Sequence, residues 1–187
     1  MKTIDQLCQK YRCDKSPSIN HSYSPYYEEL FKNRKDAKKI LEIGAGSYSC
    51  MGRYRKDYVI CSSLFVWRDY FPLAEIYGID ISEECLINED RITVELCDQS
   101  NTEDLQRFID KHGGNFDIII DDGSHNTGHQ IISALFLMPY LKGGGVYCIE
   151  DVLKPKKVAE ALSRYKCGVH IFNPEKTDDC IVRCSYY

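Results

Sequence analysis

The segment FDIIIDD, residues 116–122, constrains the fold more than any other stretch. Three consecutive isoleucines are too apolar to face water on either side. Such a strand belongs inside a sheet covered on both faces. Comparable short apolar runs recur along the chain: KILEIG (39–44), AEIYGIDI (74–81), RITVELCD (91–98) and GGVYCIED (144–151). Between them lie helical patterns. TEDLQRFIDKHG (102–113) places Leu105, Phe108 and Ile109 on one face and stops at glycine, GHQIISALFLMPYL (128–141) reads as a helix, and so does KKVAEALSRY (156–165). Alternating strands and helices predict an α/β, doubly wound, mainly parallel sheet. GVHIFNP and DCIVRCSYY, joined by the short polar PEKTDD, predict a closing hairpin. No crossover helix fits there, so one strand near the sheet edge is antiparallel. The expected sheet has seven strands.

The 187 residues suit one domain, 1–187, with 1–36 as an N-terminal helical segment over the site. A net charge of −4 and no Lys/Arg stripe argue against nucleic acid as a partner. No apolar run is long enough for a bilayer, and the N-terminus lacks a signal-peptide core, so no membrane and a cytoplasmic location are expected. Ten cysteines without a Cys-x-x-Cys pair read as free, mostly buried thiols.

Doubly wound sheets bind ligands outside the carboxyl ends of their strands. The first strand ends in LEIGAGS, where Gly44 and Gly46 permit close backbone approach to a ligand. Ser49 stands where a dinucleotide loop needs its third glycine, which argues against a pyrophosphate. Glu42 just before the glycines suits the cation S-adenosylmethionine instead. Asp80 ends the second strand and can accept from ribose hydroxyls, and Asp98 ends the third, within reach of an adenine amino group.

The fourth strand ends in Asp121 and Asp122, and the fifth in Glu150 and Asp151. If the two strands are neighbours, their tips lie about 5 Å apart. Four carboxylates there repel, and a hard divalent ion resolves the conflict, Mg²⁺ first and Mn²⁺ second. Alternation sends Asp121 and Asp122 to opposite faces, so Asp122 is the expected ligand. Asp121 then fixes the loop, and Glu150 and Asp151 need a bend in the chain for both to reach the ion. His125 is the expected general base beside that ion, and His129 is structural or contacts substrate. His21, Tyr23, Tyr26 and Tyr27 either close over the site or pack as an ordinary helix, while Trp67 and Phe71 belong to the core.

These motifs together resemble the metal-dependent sugar O-methyltransferases of the macrocin and mycinamicin type, within the class I, Rossmann-like S-adenosylmethionine-dependent fold. The matching stretches are YRCDKSPSINHSYSPYYEELF, ILEIGAGSY, SSLFVWRDYFPLAEIYGIDI, FDIIIDDGSHNTGHQ and LKGGGVYCIED. The resemblance implies metal ligation by Asp122, Glu150 and Asp151, with His125 as base. It implies cofactor contacts at Glu42, Gly44, Ala45, Gly46, Ser63, Asp80, Ile81, Asp98, Gln99 and Asp121. The implied partner is a small hydroxylated acceptor, a sugar or sugar nucleotide, and a homo-oligomer is left open. The tyrosine- and arginine-rich loop 47–61 departs from the family pattern. A catechol-type diol methyltransferase and a non-catalytic cofactor-binding protein are the alternatives.

Overall fold

A computed structural model describes residues 2–52 and 56–187; Arg53, Tyr54 and Arg55 of the unusual loop lie outside the described residues. The chain opens with helices α1 (Ile4–Tyr11) and α2 (Tyr23–Phe31), then runs into strand β1 (Lys39–Ile43). Helices α3 (Tyr48–Met51) and α4 (Ser62–Tyr70) lead to β2 (Glu75–Asp80), β3 (Asn88–Glu89) and β4 (Ile92–Leu96). Next come α5 (Thr102–His112), β5 (Phe116–Asp121), α6 (Thr127–Leu137) and β6 (Leu141–Ile149). Helix α7 (Pro155–Ala161), shorter than its sequence pattern, precedes the hairpin β7 (Lys166–Ile171) and β8 (Cys180–Ser185).

Local chemistry sets several boundaries. The Thr3 side chain accepts from the Gln6 amide and the Gln6 side chain answers at Thr3, a reciprocal cap for α1. Asn101 caps α5, whose Leu105, Phe108 and Ile109 are all buried, as the periodicity predicts. Asn126 caps α6 by accepting from the amides of Gly128 and His129. That cap ends the loop that leaves β5, and so fixes where His125 stands.

The strand order is β3-β4-β2-β1-β5-β6-β8-β7. Strands β4, β2, β1, β5 and β6 are mutually parallel, and β8 runs antiparallel between β6 and β7. The sheet thus has eight strands rather than seven. The addition is β3, two polar residues whose pairing with β4 left no periodic trace in the sequence. Register keeps the central tips level, with Ile43 beside Asp121 and Asp121 beside Ile149.

The alternation of these strands divides the core. Ile40, Ile118, Ile120, Val146 and Cys148 pack under α1, α2 and α4 with Tyr23, Tyr27, Phe31, Trp67 and Phe71. Leu41, Ile43, Ile119, Tyr147 and Ile149 face α5, α6 and α7. Even-numbered positions at these three tips therefore point to one side and odd-numbered ones to the other. All ten thiols are free, and all but Cys50 and Cys167 are buried. Among the described residues no helix is long and apolar enough to cross a membrane.

Trp67 is fully buried and meets Tyr27 and Phe31 edge-on. Trp67→Ala is expected to destabilise the fold by about 3–5 kcal/mol, the usual cost of emptying a buried aromatic site, as read by urea denaturation.

Candidate active site

The tips of β1, β5 and β6 meet at the point where the sheet order reverses. Gly44 takes φ +82°, and a Cβ there would lie 2.1 Å from the Asp122 carbonyl oxygen. Only glycine lets the two strand ends approach so closely. Beside this crossing opens a cavity of about 480 Å³. Its walls include Gly44, Ala45, Gly46, Ser63, Asp80, Ile81, Asp98 and Gln99, and on the far side Asp122, His125 and Asp151. Asp80 accepts from the Gly46 amide at 3.2 Å, so the second strand tip braces the glycine loop. Asp14, Met51 and Tyr58 also line the cavity, and the Tyr58 hydroxyl donates to the Gly46 carbonyl at 3.1 Å. Asp14 sits in the matching stretch YRCDKSPSINHSYSPYYEELF, and Met51 and Tyr58 in the unusual loop 47–61, but sequence reasoning names none of the three as a site residue, because no periodicity points them at the cavity.

Two residues expected at the cofactor do not line the cavity. Asp121 is fully buried on the odd-numbered face. Its oxygens accept from Gln99 Nε2 at 3.0 Å, Ser133 Oγ at 2.5 Å and Tyr147 OH at 3.3 Å. Burial pushes its carboxyl up to about 6 against these hydrogen bonds. Asp121 is a strut between β5, α6 and the Gln99 loop, as expected for the residue that fixes the loop. Glu42 is also fully buried, accepts from Ser63 Oγ at 2.6 Å, and points to the even-numbered face. Burial drives its carboxyl to about 7 despite a nearby lysine.

That lysine is Lys15, which lies in the matching stretch YRCDKSPSINHSYSPYYEELF but is given no role there by the sequence reading. Its ammonium lies 2.5 Å from Asp122 Oδ2, 2.7 Å from Glu150 Oε2 and 3.5 Å from Glu42 Oε1. Two tyrosines from α2 complete the neutralisation. Tyr27 OH donates to Glu150 Oε1 at 2.6 Å, and Tyr23 OH donates to Asp151 Oδ1. The aromatic segment is thus core packing and site cover at once. Tyr26 takes no part and packs against His170 and Phe172.

Among the described residues, Asp122, His125 and Asp151 bring one donor atom each within 4.8 Å of one another. His125 Nε2 stands 3.1 Å from Asp122 Oδ1 and 3.4 Å from Asp151 Oδ2. Both His125 (φ 54°) and Asp151 (φ 51°) occupy the left-handed region. Non-glycine residues hold that region where the surroundings enforce it, commonly at functional sites. The turn at Asp151 is the bend that the sequence required. It brings Asp151 round to His125, while Glu150 stays on the even face against Lys15 and Tyr27. Of the expected ligands Asp122, Glu150 and Asp151, the first and last meet at His125, and Glu150 is tied to Asp122 through the shared Lys15 ammonium; both oxygens of Glu150, like both of Asp122, accept one hydrogen bond. Each oxygen retains a second lone pair for an ion.

The carboxylate oxygens of Asp122 and Asp151 fit a hard divalent cation, with His125 Nε2 beside them. Without one the charges distribute as follows. Burial raises the Asp122 carboxyl, but Lys15 and His125 outweigh it and hold it well below the usual range. Burial and the Asp122 charge lift Asp151 to about 6. Burial lowers the His125 imidazole, but the hydrogen bond and charge of Asp122, with Asp151, raise it to about 9. The metal-free histidine is therefore a cation at neutral pH. His129 instead shares a 2.9 Å hydrogen bond with Ser124 Oγ and shapes the same loop.

No protein-family model matches the chain. The fold is that of the class I methyltransferases: the structure superposes on the MycE methyltransferase of the mycinamycin biosynthetic pathway, solved with Mg and SAH. The TM-score is 0.79 at 24% identity, over 99% of this chain and 53% of that one. A second structure of that enzyme, with Mg, SAH and mycinamycin VI, gives 0.77 at 26% identity, over 98% of this chain and 54% of that one. The chain's homologues by sequence are sugar O-methyltransferases. It is 37% identical over 150 residues to the mycinamicin VI 2''-O-methyltransferase of Micromonospora griseorubida. It is 34% identical over 150 residues to the demethylmacrocin O-methyltransferase of Streptomyces fradiae. Each alignment covers 80% of this chain but 36% of the relative, so the chain spans about a third of their length.

A histidine whose pKa is raised on folding stabilises the fold fully below its unfolded value, about 6.5, and ceases to do so as pH rises through its folded value. With chelator present, the urea midpoint is expected to fall between pH 7 and pH 9, where Asp151 is already largely ionised and Glu42 completes its ionisation in the lower half of the range. His125→Gln is expected to flatten that slope.

Proposed function

We propose that this chain transfers the methyl group of S-adenosylmethionine to a hydroxyl of a sugar or sugar conjugate, with the aid of a divalent cation. The observation that carries the reading is the meeting of Asp122, His125 and Asp151 at one wall of a cavity whose other walls are the glycine loop and the tips Asp80 and Asp98. Homology to named sugar O-methyltransferases supports the acceptor class.

Each part has a role its geometry supports. The backbone of Gly44 to Gly46 would lie against the cofactor, with Asp80 and Asp98 as acceptors for its ribose and adenine. Asp122 and Asp151, with Glu150 tied to Asp122 through Lys15, would hold the ion. A bound Mg²⁺ would supply Lewis acidity that lowers the pKa of a hydroxyl beside it. With the charges of Asp122 and Asp151 offset by a cation between them, His125 is no longer held protonated, and its neutral Nε2 can receive the hydroxyl proton; its side chain, 41% exposed, can pass that proton to solvent. Binding both partners in one cavity would make the transfer intramolecular in effect, which supplies much of the acceleration. The ten free thiols support a reducing, cytoplasmic setting.

Calorimetric titration of the chain with S-adenosylmethionine, with and without Mg²⁺, followed by turnover on rhamnosides and related glycosides, tests the proposal. His125→Ala is expected to lower kcat by about 10²–10⁴, the usual worth of a general base, and to retain cofactor binding. Loss of cofactor binding in that variant would refute the base assignment. Asp122→Asn is expected to abolish Mg²⁺ uptake.

A further inference from the structure

Lys15 is the only buried lysine among the described residues, 1% exposed. Its backbone is pinned from both sides of the N-terminal loop. The Lys15 carbonyl accepts from the Ser24 amide at 2.8 Å, and the Asp14 carbonyl accepts from the His21 amide at 2.8 Å. The flanking Ser16 and Ser24 hydroxyls both donate to Asp5 Oδ1, at 2.7 and 2.9 Å. This is a built attachment, not a surface lysine that has folded inward.

The side chain reaches three neighbouring strand tips at once: Glu42 on β1, Asp122 after β5 and Glu150 after β6. Its effect on Asp122 is specific. Oδ2 faces the ammonium, which leaves Oδ1 turned toward His125. Its effect on Glu150 is to draw a second carboxylate against the first. Three carboxylates within 3.5 Å face the ammonium and compensate its burial.

We infer that Lys15 is a positioning residue for the divalent-cation site: by gripping Asp122 Oδ2 and Glu150 Oε2 together, it presents Asp122 Oδ1 to the ion before the ion arrives. The inference rests on the metal-site reading above. It makes a prediction of opposite sign to bare electrostatics. A positive charge next to a cation site weakens binding, so charge alone says that removing Lys15 tightens it. Positioning says that removal loosens it, because freed carboxylates repel and turn away. Outer-shell partners of metal ligands are typically worth 10–100-fold in metal affinity.

The experiment is titration of the full chain with Mn²⁺, read by the electron paramagnetic resonance of the free ion, for wild type, Lys15→Met and Lys15→Arg. Binding of S-adenosylhomocysteine and the melting temperature report that each variant is folded. Lys15→Met is expected to bind Mn²⁺ about 10–100-fold more weakly than wild type, and Lys15→Arg to fall between them. A lysine that merely supports the fold lowers the melting temperature and leaves Mn²⁺ affinity unchanged. Equal or tighter Mn²⁺ binding by folded Lys15→Met overturns the inference and leaves the metal site standing. If Lys15→Met does not fold, Lys15→Arg decides, and wild-type affinity in it overturns the inference. A wild-type chain that takes up no Mn²⁺ overturns the metal site itself.

Discussion

The structure is organised around a crowd of buried carboxylates. Glu42, Asp122 and Glu150 share the even-numbered face of three adjacent strands, and Asp151 is turned to join them. Left alone, such a group protonates or comes apart. Much of the N-terminal segment exists to prevent that. Lys15 supplies a full positive charge and Tyr23 and Tyr27 supply hydroxyl donors, and the rings that carry those hydroxyls are also the core beneath α4. Packing and charge compensation are thus done by the same side chains.

That economy gives the site two halves of different character. The cofactor half is backbone and strand tips, held by Gly44, Gly46 and the brace from Asp80. The cation half is side chains held by other side chains, with His125 and Asp151 in left-handed conformations that their neighbours enforce. Asp122 belongs to both halves, since its carbonyl meets Gly44 and its carboxylate meets Lys15 and His125.

Much of this was legible in the chain. The triple isoleucine located the central strand, and period-two alternation separated Asp121 from Asp122. The same alternation, applied to Glu42, turns that residue toward Ser63 on α4, so that it stands behind the cavity wall and not on it. The role of Lys15 was not legible. DKSPS belongs to a matching stretch, but nothing in it says that the lysine is buried, and its two nearest partners, Asp122 and Glu150, lie 107 and 135 positions away. The four carboxylates seemed to demand a metal as their sole remedy because the sequence could not show that ammonium. The two-residue strand β3 was invisible for a plainer reason, since two residues carry no period.

The separation of Lys15 from its acids also orders events in time. The segment bearing the positive charge is synthesised first; of the carboxylates it neutralises, Glu42 follows soon after, Asp122 much later and Glu150 last. Until Glu150 arrives the buried ammonium is only partly compensated, and α1 and α2 can pack only loosely on a sheet that lacks β6. The last central strand therefore brings the last of the acids that pull the ammonium inside. Closure of the N-terminal cover is a late, long-range step of the kind that slows folding. A chain halted before β6 is complete would carry its aromatic cover open, with Tyr23, Tyr27 and Trp67 available to chaperones or to other chains.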